Sequence, residues 1–376
     1  MKLIILQEKL KEGIGIIERI SIKSLSLPIL NNLLLEAKEN FISLTTTNLE
    51  LAIKWWALAK IEKEGIITIP TRIFSSFINS LPNKPIILES KNLELSVECE
   101  NYQTTLKGLN YEDFPIIPQI NKEESILINS RSFCQGLTQV VDIATSTTTK
   151  PEISGIYLVF QKGLIKMVAT DSFRLGEKTL SLKNPSSLLK EYALILPQKT
   201  AKEIINIFSE KEGDLSISFS PNQILFESQM PETPHPQIQV TSRLIEGEYP
   251  NYEEILPKKH ETQIIVSKNE FLNQIKSASL FSGKINEVKL KINPKTEKIE
   301  VFSQSSELGE YYSYLSGRIE GKELEISFNH RFLIDGLLNI KNSEVILGLT
   351  GVEGPGVLKP SGDESYIYVI MPIKAS

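Results

Sequence analysis

Three landmarks recur in the same order along this chain of 376 residues and divide it into thirds. The first landmark is a short polar turn, which begins at Thr47, Thr170 and Ser305. The second precedes an amphipathic segment, at Pro70, Pro197 and Asn329. The third is an aromatic residue or Met before Pro, at Pro115, Pro250 and Pro372. The second landmark recurs after 127 and 132 residues, and solenoid repeats are about 20–50 residues long, so whole domains are repeated.

The length of the chain fits three domains of ordinary size, which we place at 1–121, 122–252 and 253–376. The apolar fraction of 41% and the charged fraction of 23% are typical of a globular protein. Charged residues directly follow the first apolar run, which excludes a signal peptide, and no run is long enough to cross a membrane. Cys99 and Cys134 fall in different predicted domains without metal-ligand spacing, so we expect free thiols in a reducing cytoplasm.

Each third begins with a short strand and an amphipathic segment, continues with alternating segments and a second amphipathic segment, and ends with three or four strands. Asn129, Ser130 and Ser267 stand where helix caps belong. The pattern predicts a mixed α+β fold in which two helices per third pack on antiparallel sheets. Helices are predicted over Gln7–Ser21, Thr71–Leu81, Asn129–Thr145, Gln198–Glu210, Ser267–Ser282 and Phe328–Lys341.

No catalytic or metal-binding pattern stands out in the sequence. The three histidines, His235, His260 and His330, have no ligand neighbour at useful spacing. Nucleophile, phosphate-loop and zinc-peptidase motifs are missing as well. We therefore expect neither an enzyme nor a cofactor.

Charge is distributed unevenly although the net charge is −5. The six predicted helices carry eleven basic and eight acidic residues, a net +3, which leaves −8 for the rest of the chain. Solvated helix faces alone can account for so small a bias. A positive surface on helices within an acidic body is, however, what a ring around DNA needs, because it attracts phosphates without reading bases.

The sequence resembles the bacterial sliding clamps, the beta subunits of DNA polymerase III, along its whole length. The matching phrases are Leu27–Asn32, Thr47–Glu50, Asn110–Pro115, Thr170–Leu175, Gly247–Tyr252, Leu256–Pro257, Glu287–Leu290, Phe328–Leu333 and Val369–Pro372. The resemblance implies a head-to-tail homodimer, in which two chains of three DNA-clamp domains close a ring lined by helices. Such a ring encloses duplex DNA without sequence preference and tethers the replicative polymerase, which raises the polymerase's effective concentration at the template.

The resemblance also implies sites at numbered positions of this sequence. The apolar cleft that binds partner peptides maps onto Ile153, Thr170, Phe173, Arg174, Leu175, Pro250, Ile255, Val369, Met371, Pro372 and Ile373. The DNA contacts map onto Lys23, Arg72, Lys150 and Lys199. The dimer interface maps onto Leu109, Leu280 and Phe281. Phe173 and Glu254 depart from the His and the basic residue that are common in the family, and Ser24 departs from a usual Arg.

The expected partners are duplex DNA, a second copy of the chain, the replicative polymerase, the clamp loader and other clamp-motif proteins, without a membrane. For Leu175, Ile255 and Val369, burial in an ordinary core explains the residue type equally well, and so it does for the interface residues. A repeat-built scaffold that binds peptides and never encircles DNA remains the alternative from another class.

Overall fold

The computed structural model describes residues 1–21, 24–122, 124–145, 149–182 and 191–374. In those ranges six α-helices lie among antiparallel strands, which confirms the mixed α+β prediction. The helices are α1 (Gln7–Ile17), α2 (Thr71–Ser80), α3 (Ser130–Val140), α4 (Gln198–Phe208), α5 (Lys268–Ser279) and α6 (His330–Asn339). Each helix begins within two residues of its predicted start. Each ends earlier than predicted; α1, for instance, tightens into a 3-10 helix over Glu18–Ile20.

The strands of each third follow in chain order. The first third holds β1 (Lys2–Leu6), β2 (Asn32–Lys38), β3 (Phe41–Thr47), β4 (Leu51–Leu58), β5 (Lys60–Lys63), β6 (Gly65–Pro70), β7 (Pro85–Lys91), β8 (Glu94–Cys99) and β9 (Tyr102–Lys107). The second holds β10 (Ser125–Asn129), β11 (Gly155–Gln161), β12 (Leu164–Thr170), β13 (Arg174–Ser181), β14 (Tyr192–Pro197), β15 (Asp214–Ser220), β16 (Gln223–Gln229) and β17 (Pro236–Arg243). The last holds β18 (Thr262–Ser267), β19 (Glu287–Asn293), β20 (Lys298–Ser305), β21 (Gly309–Ser316), β22 (Arg318–Gly321), β23 (Leu324–Asn329), β24 (Glu344–Leu349), β25 (Gly356–Pro360) and β26 (Tyr366–Ile370).

Helix faces and caps follow the sequence pattern closely. On α1 the apolar residues Leu10, Ile14 and Ile17 are fully buried, as their spacing predicts. The Asn129 side chain accepts a hydrogen bond from the backbone N–H of Ser132 at 3.0 Å and so caps α3. Leu280 is the exception to the predicted faces, because it lies just beyond the end of α5 and is exposed.

One compact unit comprises residues 1–134 and 202–244. It contains a five-stranded sheet in the order β5-β1-β7-β8-β9 and an eight-stranded sheet in the order β10-β15-β16-β17-β4-β3-β2-β6. The larger sheet is continuous across two thirds of the chain, because β4 pairs antiparallel with β17 through five residue pairs. We call this pairing the first joint. Trp55, at one end of that pairing, is fully buried.

The other compact unit comprises residues 135–182, 191–201 and 245–374 of the described chain. Its nine-stranded sheet has the order β14-β11-β12-β13-β26-β25-β24-β18-β22, and a four-stranded sheet has the order β21-β20-β19-β23. Here β13 pairs antiparallel with β26, again through five residue pairs. We call this pairing the second joint.

Both joints use equivalent strands in the same register. The backbone N–H of Arg243 donates to the carbonyl of Glu50 at 2.8 Å at the first joint. The backbone N–H of Met371 donates to the carbonyl of Phe173 at 2.8 Å at the second joint. Each joint therefore links the fourth main strand of one third to the last strand of the next.

The prediction that the third landmark is equivalent in all three thirds is wrong for the last third of the chain. Thr68 pairs with Leu109 and Ile195 with Ile245, and both of these bridges precede their aromatic-Pro phrase. The equivalent contact of the last third, from the Ile373 N–H to the Ser327 carbonyl, follows Met371-Pro372 instead. Met371 is thus the structural counterpart of Arg243, and the dipeptides resemble each other without being equivalent.

No helix in the described part of the chain is long and apolar enough to cross a membrane.

Candidate functional site

The second joint carries an apolar cluster on one face of the nine-stranded sheet. Its buried members are Val168, Leu175, Tyr252, Val357 and Val369, and Tyr157, Tyr249, Leu256 and Ile367 pack against it. Two of the predicted cleft residues, Leu175 and Val369, lie opposite each other in the pairing of β13 with β26. They form the buried floor of the cluster, and their burial is that of ordinary core residues.

The predicted residues that remain accessible lie on short connections beside this floor. Phe173, Ile255 and Met371 are 63%, 53% and 41% exposed. The hydrogen bond between the backbones of Met371 and Phe173 joins two of these residues directly. Exposed apolar side chains next to a buried apolar floor are typical of a binding surface.

Five further predicted residues differ in their surroundings. The hydroxyl of Thr170 donates to the Arg174 carbonyl at 2.8 Å and closes the turn before β13. Ile153 is buried in the 3-10 helix Pro151–Ile153. Pro250 is exposed and Pro372 half-buried. Ile373 holds the end of the chain to Ser327.

Arg174, a predicted cleft residue, is held by several contacts at the second joint. Its Nε donates to Asp171 at 2.9 Å, its Nη1 donates to Asp335, and its guanidinium lies 4.7 Å from the centroid of the Phe332 ring. Because successive residues of a strand point to opposite faces, Arg174 points towards α6 while Leu175 points into the apolar cluster. The side chain is only 9% exposed. The peptide contact stays a prediction, and the contacts with α6 lead us to propose a positioning role for Arg174 at the second joint.

Aromatic residues that the sequence analysis did not assign to the cleft dominate its wall. Tyr157 and Tyr249 stack with centroids 4.7 Å apart, and Tyr252 meets Tyr157 edge-on. Burial, together with a hydrogen bond to Glu177, raises the pKa of Tyr252, and burial raises the pKa of Tyr249. These phenols stay neutral at physiological pH. Tyr249 and Tyr252 belong to the segment Gly247–Tyr252, which resembles the sliding clamps, so the sequence contained a signal for these two residues.

The predicted DNA contacts are exposed where the structure describes them. Arg72 lies in α2, Lys199 lies in α4, and Lys150 directly precedes a 3-10 helix. None of the three forms an ion pair with another described residue. Lys23 lies outside the described residues. With the observed helix bounds, the six helices carry nine basic and five acidic residues, a net +4 that leaves −9 elsewhere.

The predicted interface residues lie beside strand edges. Leu109 is exposed, and its backbone bonds to the Thr68 hydroxyl next to β9. Phe281 stacks on Tyr311 of β21 with centroids 6.0 Å apart. Leu280, beside Phe281, is exposed.

The described residues contain no cluster of three or more His, Cys, Asp or Glu side chains that could hold a metal ion. Cys134 is buried, and burial raises the pKa of its thiol to about 12, so it is not a thiolate nucleophile at neutral pH.

Three family models match the chain in succession. They are described as the N-terminal, central and C-terminal domains of the DNA polymerase III beta subunit and match residues 1–118, 128–251 and 253–374. Curated relatives agree: the beta sliding clamp of Staphylococcus aureus strain N315 is 28% identical over 359 residues, with 93% of each chain covered.

Solved structures give the same answer. The DNA polymerase sliding clamp of Bacillus subtilis is 26% identical, with a TM-score of 0.94 and full coverage of both chains. A sliding clamp of Pseudomonas aeruginosa, solved with griselimycin bound, shares the fold at 22% identity, with a TM-score of 0.92 and full coverage of both chains. With three successive family domains and these relatives in agreement, the chain belongs to the DNA polymerase III beta subunit family, the sliding clamps that act as processivity factors.

Proposed function

We propose that two copies of this chain join head to tail into a ring that encircles duplex DNA and tethers a DNA polymerase. The observation that carries the proposal is the pattern of paired and unpaired strands. Strand β4 pairs with β17 and β13 pairs with β26, in one register. The equivalent strands that are left over, β21 and β9, each lie at the edge of a sheet. A third joint between β21 of one copy and β9 of the other repeats the same pairing.

The register of this third joint follows from the other two. In the equivalence of the thirds, Ile53 opposite Val240 at the first joint corresponds to Gly176 opposite Tyr368 at the second. The corresponding residues on the free edges are Tyr311 on β21 and Thr104 on β9. We therefore expect Tyr311 of one copy opposite Thr104 of the other.

The composition of the free edges supports this pairing. Tyr312 and Tyr314 of β21 and Tyr102 of β9 are exposed, and Leu308 and Leu109 lie exposed close by. An uncovered apolar edge strand promotes aggregation unless another strand pairs with it. A head-to-tail contact gives a closed ring only when the rotation between successive copies adds up to a full turn. Two copies, each with three equivalent domains, would meet this condition with six domains in the ring.

The helices supply the charge that a sliding contact needs. Their net +4 against −9 elsewhere favours phosphates on helix surfaces and repels them from the rest of the molecule. Phosphate contacts position a duplex without reading its sequence. Arg72, Lys150, Lys199 and Lys23 remain our proposed DNA contacts.

Partner proteins are proposed to bind at the cleft of the second joint through Phe173, Ile255 and Met371, with Pro250, Pro372 and Ile373 beside them. The replicative polymerase, the clamp loader and other clamp-motif proteins are the expected partners. We propose that the protein works in the cytoplasm, without catalysis or a cofactor, as three domains with boundaries at 1–121, 122–252 and 253–376. The three family matches support these boundaries.

The test is retention on DNA. Protein loaded onto nicked circular DNA should stay bound through gel filtration at raised salt and should leave when the circle is cut once. Retention through encirclement depends on topology and survives salt, whereas simple phosphate contact is screened. Equal loss from circular and linear DNA would instead favour the scaffold that binds peptides only.

A further inference from the structure

The first joint carries two adjoining cavities of about 580 and 110 Å³ on the eight-stranded sheet. They share Ala52, Thr241 and the chain segment 115–118. The larger volume lies within the range of ligand pockets. All of the lining residues belong to the unit formed by residues 1–134 and 202–244.

The floor of this space has a smaller side chain at one of the two positions that are filled at the second joint. Ala52 and Thr241 face each other in the β4–β17 pairing, as Leu175 and Val369 do in the β13–β26 pairing. Replacing Leu by Ala removes three carbon atoms from the floor. The two joints therefore have the same backbone and different grooves.

Large apolar side chains are held at the mouth of the groove. Ile116 is 94% exposed, and Leu49 is exposed with a backbone φ of 76°. A positive φ is rare for a residue with a branched side chain and costs free energy. Both residues line the smaller cavity.

The charged residues that line the two cavities are Lys54, Lys122, Arg243 and Glu50. Lys54 forms an ion pair with Glu36 at 3.6 Å, and Lys122 forms one with Glu227. Arg243 is exposed and occupies the position that Met371 holds at the second joint. The groove thus combines an apolar floor with one accessible cation, Arg243, at its end.

We propose that this groove is a second docking site, which takes an extended peptide carrying a bulky apolar side chain next to acidic residues. The apolar side chain would fill the space above Ala52, and a carboxylate would meet Arg243 at the end of the groove. A peptide fits better than a nucleic acid strand, which needs a row of stacking platforms, because the lining aromatics are Trp56, Tyr111 and Phe114 and the last of these is buried. The proposal does not depend on ring closure.

The chain supplies its own fluorescent reporter of binding. It has two tryptophans; Trp55 is fully buried, and Trp56 lines the groove. Titration with the Trp-free peptide acetyl-Asp-Leu-Phe-Glu-Asp should change the tryptophan emission saturably. The basic analogue acetyl-Lys-Leu-Phe-Lys-Lys, of the same length, should bind at least about tenfold more weakly.

Two variants transfer the residues of the second joint to the first. Ala52→Leu adds three carbon atoms to the floor and should weaken acidic-peptide binding about tenfold or more, measured by polarisation of a fluorescein-labelled peptide. Thr241→Val, which leaves the volume almost unchanged, should have a much smaller effect. Arg243→Glu, at an exposed position, should reverse the preference between the two peptides. Met371→Ala at the second joint is the matched control and should leave this affinity unchanged. Circular dichroism melts establish that each variant is folded.

Several results would contradict the proposal of a second docking site. The proposal fails if no saturable signal appears up to about 1 mM peptide, or if filling the groove has no effect on binding. It fails as well if Met371→Ala removes the binding, or if an oligothymidylate binds in place of the peptide.

Discussion

Arg174 has contacts that point to a positioning role at the second joint as well as a predicted place in the peptide cleft. Its guanidinium connects Asp171 on the turn before β13, Asp335 and Phe332 on α6, and Tyr368 on β26. Asp171 is buried with it, at 8% side-chain exposure. The ion pair therefore stabilises the second joint only while both partners are present.

Arg174→Ala should lower the free energy of unfolding by about 3 kcal/mol, because it leaves the Asp171 carboxylate buried without its partner. Urea unfolding at fixed protein concentration measures this change. Arg318→Ala, at an exposed position on β22, is the control and should stay within about 0.5 kcal/mol of the parent. Equal effects of the two substitutions would contradict the positioning role.

Met371→Ala should weaken a labelled clamp-motif peptide about tenfold, because it removes an adaptable apolar contact at the rim of the cleft. Fluorescence polarisation on folded protein measures this affinity. If Arg174 only positions the joint, Arg174→Ala should retain peptide affinity once the folded fraction is taken into account. Loss of affinity in Arg174→Ala alone would favour the predicted peptide contact.

Two histidines give the stability a pH dependence. Burial, followed by the charge of Lys359, lowers the pKa of His260; burial, followed by the charge of Arg331, lowers the pKa of His330. The ordinary histidine pKa is 6.5. Below pH 6.5 these histidines bind protons more readily in the unfolded chain than in the folded chain, so the free energy of unfolding falls as the pH drops. Above pH 6.5 they are neutral in both states and do not change the free energy of unfolding.

The free energy of unfolding should therefore decrease between pH 7.5 and pH 5.5. The double variant His260→Gln and His330→Gln should show a smaller decrease over the same interval in urea titrations. His235→Gln is the control, because that ring stacks on Phe41 in a loop. A decrease of the same size in the double variant would mean that other groups carry the dependence.

At the scale of elements, the repeated order of strands and helices carries most of the account. The helix starts and the strands were predictable because turn residues and apolar periodicity are local signals. The pairing of β4 with β17 and of β13 with β26 was not predictable in this way, because strand partners far apart in sequence leave no local pattern. The face of Arg174 depended on that pairing, and so did the equivalence of Met371 with Arg243.

The edge strands make a precise prediction about the dimer. With Cys99 and Cys134 replaced by Ser, Thr104→Cys together with Tyr311→Cys should form a covalent dimer under mild oxidation, because directly opposite Cβ atoms lie about 4.5–5.5 Å apart. Non-reducing gel electrophoresis measures the yield.

A one-residue shift of the cysteine provides the control for the register. Thr105→Cys with Tyr311→Cys should cross-link poorly, because adjacent side chains of a strand point to opposite faces. Equal yields from both pairs would contradict the register, and no covalent dimer from either pair would contradict the third joint.

At the scale of the whole molecule, two joints of one kind leave the equivalent strands β9 and β21 at sheet edges, and this is why we propose a second copy that completes a third joint. The sequence predicted the three repeats and the family, because whole phrases persist in order. The cleft residues predicted from the family include exposed and buried side chains. The sequence could not separate the two groups, because the same apolar residue types occur in a binding surface and in a core.

Charge reversal tests the DNA contact. Lys150→Glu with Lys199→Glu should weaken binding to linear duplex at low salt, and the difference from the parent should shrink as salt is raised. Electrophoretic mobility shift at several salt concentrations measures the effect. Lys298→Glu, on β20 outside the helices, is the control. An unchanged affinity at low salt would remove both lysines from the contact.

Closure of the ring by pairing of β9 with β21 is the central claim, and the mass of the protein in solution tests it most directly. Sedimentation equilibrium should give twice the chain mass of 42.3 kDa. Tyr312→Pro removes the backbone donor that points away from β20 and towards the partner strand in this register, so it should shift the protein towards a single chain while the protein remains folded. A parent protein that sediments as one chain at every concentration, or a Tyr312→Pro protein that stays dimeric, would contradict the account.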